Sequence, residues 1–170
     1  IESAIRAAQN KDKVLFICMN KLLNEYINDQ LKSYSNIEVS TIDALTQKYA
    51  KISQPYLANK ESKNHFFNTE LPEKAYLNIV ELIDSNKLSK YDLLIIDEAQ
   101  DVFMENKLAV LDILLKKGIE NGRWHIFGDF AYQDSFNNMD GNNANEMLDI
   151  KCGKSIHIFE KLRWYNAIGA

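Results

Sequence analysis

Apolar residues are spread along the chain in two alternating rhythms. Five short runs are continuously or nearly continuously apolar: Val14–Met19, Ile37–Thr41, Leu93–Asp97, Trp124–Gly128 and Ile156–Phe159. Runs of this length without polar alternation predict strands covered on both faces, the pattern of a parallel sheet. Between them the spacing changes to that of a helix. Lys21–Lys32 places Leu22, Leu23, Tyr26, Ile27 and Leu31 on one side of a turn-by-turn repeat. Ile42–Lys51 predicts a shorter helix. Pro72 suits the first turn of another, followed by Ala75, Tyr76, Ile79, Val80, Leu82 and Ile83. Leu108–Leu115 predicts a further amphipathic helix that ends near Gly118.

Alternation of strand and helix predicts an α/β fold, a doubly wound and mostly parallel sheet, within a single domain spanning 1–170. Ser53–Leu71 has no clear periodicity and reads as a long loop or a small insertion, within a region of about 53–90. Asp134–Asn145 is rich in Asn and Asp and reads as a surface loop.

Ligands of such sheets lie beyond the carboxyl ends of the strands. Polar residues gather at those ends: Asn20 after the first run, Thr41 closing the second, Asp97 and Glu98 at the third, Asp129 after the fourth. The sequence LLIIDE throws two adjacent carboxylates out from an apolar strand. Two such groups repel each other and resist desolvation, and a divalent cation relieves both costs. Asp97 is placed to hold Mg²⁺, and Glu98 to orient or polarise an attacking water. A strand that merely ends in a charged turn would look the same over these two residues. Gln100 and Asp101 lengthen the pattern to DEAQD, and a later strand ends in IFGD with Gln133 soon after.

Together these segments resemble superfamily 1 DNA helicases of the UvrD/Rep type. VLFICMNKLL is similar to the strand and turn after the family's phosphate-binding helix. IEVSTIDAL resembles its strand with a DNA-contacting Thr, YDLLIIDEAQD its Walker B motif, and WHIFGDFAYQDSF its GDxxQ motif. The resemblance implies a RecA-like P-loop NTPase domain, the first of two motor domains, that uses Mg²⁺ and ATP to move along single-stranded DNA or RNA. It implies that Asp97 holds Mg²⁺, that Glu98 is the catalytic base and that Gln133 senses the γ-phosphate. Gln100 and Asp129 would serve the nucleotide network. Asn20 and Thr41 would touch the nucleic-acid backbone, and Phe136 would stack on a base or pack in its loop.

The chain departs from the family in three respects. It contains no GxxxxGK[ST] loop, which the resemblance places ahead of Ile1, with Ile1–Gln9 as the tail of the helix that follows it. Gln133 stands one residue later after Gly-Asp than in most relatives. Leu162–Ala170 offers no arginine in the register of the family's arginine finger. Two other readings therefore stay open: a nucleotide-responsive regulatory or scaffold module that does not unwind, and an interaction domain on a degenerate motor fold. Nucleotide binding without stimulation by DNA would favour the first, and absence of a phosphate loop from the whole protein the second. The chain alone is expected to hydrolyse ATP weakly or not at all.

Composition narrows the picture little. Apolar residues make up 46% and charged residues 26%, with a net charge of −4. The acidic balance argues against a dedicated nucleic-acid coat and leaves room for a local groove. No apolar run reaches the ~20 residues of a membrane span. Cys18 lies in an apolar run and reads as a buried thiol; neither it nor Cys152 has metal-site spacing, which points to a reducing, cytoplasmic setting. Gly153-Lys154-Ser155 is followed by a strand where a phosphate loop needs a helix. Asn138–Glu146 misses the ligand register of a calcium loop. His125 lies in an apolar run, which suggests a structural role, and Lys11–Lys13 and Lys116–Lys117 read as solvated turns.

Overall fold

A computed structural model of the chain describes residues 1–52, 59–99 and 102–128. Four strands form one sheet, β1 (Val14–Cys18), β2 (Ile37–Thr41), β3 (Leu93–Ile96) and β4 (Arg123–Ile126), in the order β2-β1-β3-β4. Every pairing is parallel: Val14 lies beside Ile37 and Leu93, and Leu93 beside Arg123. The expected strand Ile156–Phe159 lies outside the described residues.

Helices cover both faces of the sheet, the α/β arrangement the sequence predicted. On one face, Val14, Phe16, Leu93 and Ile95 pack against α1 (Glu2–Gln9) and α2 (Lys21–Leu31). Helix α1 meets this face with Ala4 and Ala7, so its backbone can lie close to the strands. On the other face, Leu15, Ile17, Leu94 and Ile96 pack against α3 (Ile42–Ala50), α5 (Leu71–Asp84) and α6 (Glu105–Leu114). β1 and β3 are buried throughout, which accounts for their unbroken apolar sequence. β4 alternates instead. Trp124 and Ile126 face the core, while Arg123 and His125 are exposed. His125 is thus not the covered side chain its apolar run suggested, because β4 is the last strand of the described sheet.

Local chemistry sets the helix starts. Asn20 caps α2 by accepting from the Leu22 and Leu23 amides at 2.8 and 3.4 Å. Thr41 caps α3 by accepting from the Ala44 amide at 3.2 Å. Pro72 lies in the first turn of α5, as expected. The stretch read as an aperiodic loop differs from that expectation. It contains α4 (Lys60–His65), which runs through a π turn at Phe66–Glu70 directly into α5. A π turn takes up an extra residue and rotates the apolar stripe, so the 3.6-residue repeat is broken where the helix continues. Phe66 is buried and meets Phe67 edge-on, with centroids 5.2 Å apart. A short helix, α7 (Gly118–Asn121), then leads into β4, and its Ile119 carbonyl accepts from Trp124 Nε1 at 2.8 Å.

Side-chain bonds tie the amino ends of the strands together. Asp92 accepts from the Lys13 amide at 2.9 Å and from Lys116 Nζ at 2.6 Å. These bonds, with that of Lys116 first, hold its carboxyl below the ordinary carboxylate value. Tyr91 is buried and donates its hydroxyl to Glu38 Oε2 at 2.6 Å, while Lys48 reaches Glu38 Oε1 at 2.7 Å. Burial, then the bond to Glu38, pushes the Tyr91 phenol far above its ordinary value. Lys13 lies over the Tyr91 ring, 4.3 Å from its centre, and donates to the Ser89 carbonyl. Arg123 reaches Asp12 at 2.9 Å. Lys13 and Lys116 are therefore ion-pair and hydrogen-bond partners as well as turn residues.

Candidate functional site

The parallel register brings all four carboxyl ends to one edge. Thr41 pairs with Cys18, and Ile96 lies between Ile17 and Ile126. Adjacent strands are ~4.8 Å apart, so Thr41 and Asp97 stand roughly 10 Å from each other across β1. Asp97, Glu98, Asn20 and Thr41 therefore share one rim, as the sequence predicted. Gln100, Asp129, Gln133 and Phe136 lie outside the described residues.

Asp97 continues β3 by one residue, its amide donating to the Ile17 carbonyl at 2.9 Å. Its side chain is half-buried, and its Oδ1 accepts from the Glu98 amide at 3.2 Å. Burial raises its pKa above the ordinary carboxylate value, and the neighbouring Glu98 charge adds to the rise. Glu98 is exposed and has a left-handed backbone, φ 52°. Ala99 then donates its amide to the Phe127 carbonyl at 2.9 Å, and Phe127 donates to the Ile96 carbonyl at 2.8 Å. The end of β3 is thus stitched to the end of β4 on one side and to β1 on the other.

Asn20 and Thr41 have structural duties as well as a place on the rim. Each uses a side-chain oxygen as a helix cap, so each keeps donor hydrogens for another partner. Helices α1, α2, α3 and α6 all begin on this side of the sheet, pointing amide-rich ends toward it. Cys18, between Thr41 and Asp97, is a free and fully buried thiol, as its apolar run predicted. Burial pushes it above the ordinary thiol value.

Beneath the rim is a feature that sequence reasoning missed. Lys107, in the first turn of α6, has a side chain only 3% exposed, and its Nζ stands 3.0 Å from Asp43 Oδ1 in the first turn of α3. That oxygen is buried and makes no hydrogen bond of good geometry, so the contact is an ion pair held by charge. Sixty-odd residues separate the partners, and neither lies in a recognisable pattern. Asn106 beside it donates to the Asn68 carbonyl of the π turn at 3.3 Å.

Among the described residues no group of three or more His, Cys, Asp or Glu side chains is arranged to hold a metal ion. Asp97 nevertheless suits a cation that brings most of its own ligands: it is a half-buried carboxyl beside a second acid, and a positive charge would offset both penalties. Among the described residues no helix is long and apolar enough to cross a membrane. Comparison of the chain with family models, with curated proteins and with solved structures gave no match.

Proposed function

We propose that the chain is part of a nucleotide-driven motor domain with a RecA-like P-loop fold. More particularly, we read it as part of the first motor domain of a superfamily 1 DNA helicase of the UvrD/Rep type. The observation that carries this reading is the pair Asp97–Glu98. It leaves an interior parallel strand at the carboxyl edge of the sheet, on the rim that also holds Asn20 and Thr41.

In this reading Asp97 holds Mg²⁺ directly or through water, and Glu98 orients the water that attacks the terminal phosphate. The magnesium ion, when bound, neutralises charge on the phosphates. Raised above its ordinary pKa, Asp97 gains more than an exposed carboxylate would from a nearby cation. Asn20 and Thr41 have spare donors, and phosphate oxygens only accept; this matches them to a nucleic-acid backbone that crosses the starts of α2 and α3. Gln100, Asp129, Gln133 and Phe136 keep the roles the resemblance implies.

The test is ATP hydrolysis by the full-length protein with and without single-stranded DNA. Magnesium-dependent hydrolysis that rises when DNA is added is the expected result. Hydrolysis indifferent to DNA would move the assignment to a regulatory nucleotide module, and no nucleotide binding at all would overturn it.

A further inference from the structure

Among the described residues, five other than glycine have a left-handed backbone: Lys11, Lys51, Asn86, Glu98 and Lys117. Four of these belong to helix ends. Lys11 and Asn86 lie just past α1 and α5, Lys51 caps the end of α3, and Lys117 immediately precedes α7. Left-handed residues close helices routinely. Glu98 differs in joining the end of β3 directly to a helical turn that begins at Ala99, and its φ of 52° carries a steric penalty that glycine would not.

The hydrogen bonds around it explain the conformation. In a regular parallel strand, successive residues bond alternately to the two neighbours. Ile96 bonds to β4 through Phe127, and Asp97 bonds to β1 through Ile17. The next residue should turn back to β4. That place is taken by Ala99, whose amide reaches the Phe127 carbonyl. Glu98 is therefore an extra residue, the first position of a bulge of the kind in which a left-handed glycine is usual.

Resting on the motor reading, we propose that this bulge is a positioning device that lifts the Glu98 carboxylate out of the strand's alternation and aims it over the rim. Position 98 keeps an acid where the backbone favours glycine, at the expense of local stability. Ala99 and Phe127 act through their backbone bond to fix the aim. Any shift of the end of β4 therefore redirects the carboxylate.

The experiment compares Glu98→Gly, Glu98→Ala and Glu98→Gln by thermal melting of the 170-residue chain, with Lys51→Gly as a reference for relieving a left-handed backbone far from the rim. Glu98→Gly is expected to melt ~2–4 °C above Glu98→Ala, and Lys51→Gly to rise above the unaltered chain by a similar amount. A Glu98→Gly chain that melts at or below Glu98→Ala overturns the bulge. In the full-length protein, Glu98→Gly and Glu98→Gln should both lose ATP hydrolysis although the first is the more stable. If the unaltered full-length protein hydrolyses no ATP, the motor reading falls, while the order of melting temperatures still decides whether the strained bulge exists.

Discussion

At the amino ends of the strands, Asp92 receives an amide from Lys13 and an ammonium from Lys116, and its carboxyl is held below the ordinary value. At the carboxyl ends, Asp97 is half-buried beside a second acid and its carboxyl is pushed up. The two aspartates are only five residues apart, on opposite ends of the same strand. One end answers its charges with partners: Glu38 with Lys48 and Tyr91, Asp12 with Arg123. The other sets two adjacent acids beside two capping side chains that keep donor hydrogens. The same strand thus lowers one aspartate by hydrogen bonds and an ion pair at its start and raises another by burial at its end.

The comparison can be broken in four places. The largest effect is expected at Glu98→Gln in the full-length protein: ATP hydrolysis should fall by ~10²–10⁴-fold, as for loss of a general base, with little change in melting temperature. A variant that keeps its rate would remove the chemical half of the contrast. Next comes Lys107→Ala, which leaves Asp43 Oδ1 buried without its counter-charge; the expected cost is ~3 kcal/mol by chemical denaturation. Lys107→Met, which refills the space without a charge and leaves Asp43 a route to solvent, should cost clearly less. Equal losses would show that charge, and not the packing of the Lys107 stem, joins α3 to α6.

Asp92→Asn is expected to cost about 1 kcal/mol at neutral pH. Its sign with pH follows from the lowered carboxyl. The stabilisation is complete above the unfolded carboxylate value and is lost as pH falls through the folded one. The variant should therefore match the unaltered chain in strong acid and fall behind it toward neutrality. Asp97→Asn should do the opposite on a smaller scale, less than about 1 kcal/mol. A raised carboxyl penalises the folded state once pH exceeds its folded value, so without magnesium the amide variant should equal or exceed the unaltered chain near neutral pH. Melting curves across pH in metal-free buffer would decide both. A destabilised Asp97→Asn would place that side chain among the structural ones and erase the difference between the rims.

How far the sequence revealed this arrangement depended on whether a feature leaves a periodic trace. β1 and β3 do, because burial on both faces excludes polar residues from them. α2 and α3 do as well, since apolar spacing and a capping side chain agree on where each begins. Ends were less legible: β4 spans Arg123–Ile126, starting one residue before and stopping two residues before the expected run Trp124–Gly128. The helix from Lys60 was missed because α4 buries no residue and the π turn breaks the repeat. At the rim, Asp97 and Glu98 stood out by type and position. The backbone of Glu98 could not, because no glycine marked the bulge. The pairing of Lys107 with Asp43 comes from tertiary packing and has no local signature.

The π turn at Phe66–Glu70 also bears on how this chain tolerates change. Each residue of an α-helix advances ~100° around the axis, so a turn wound wider by one residue shifts everything before it by about that angle. His65 and Glu70, five positions apart, come within 3.4 Å across it. Trimming one residue there would wind the segment back to ordinary α geometry and swing Lys60–His65 to a new heading, while Leu71, Ala75 and Ile79 stay seated on the sheet. The turn is thus a joint at which gain or loss of a single codon re-aims the outer helix, at the expense of repacking Phe66 and the Asn106 bond to Asn68.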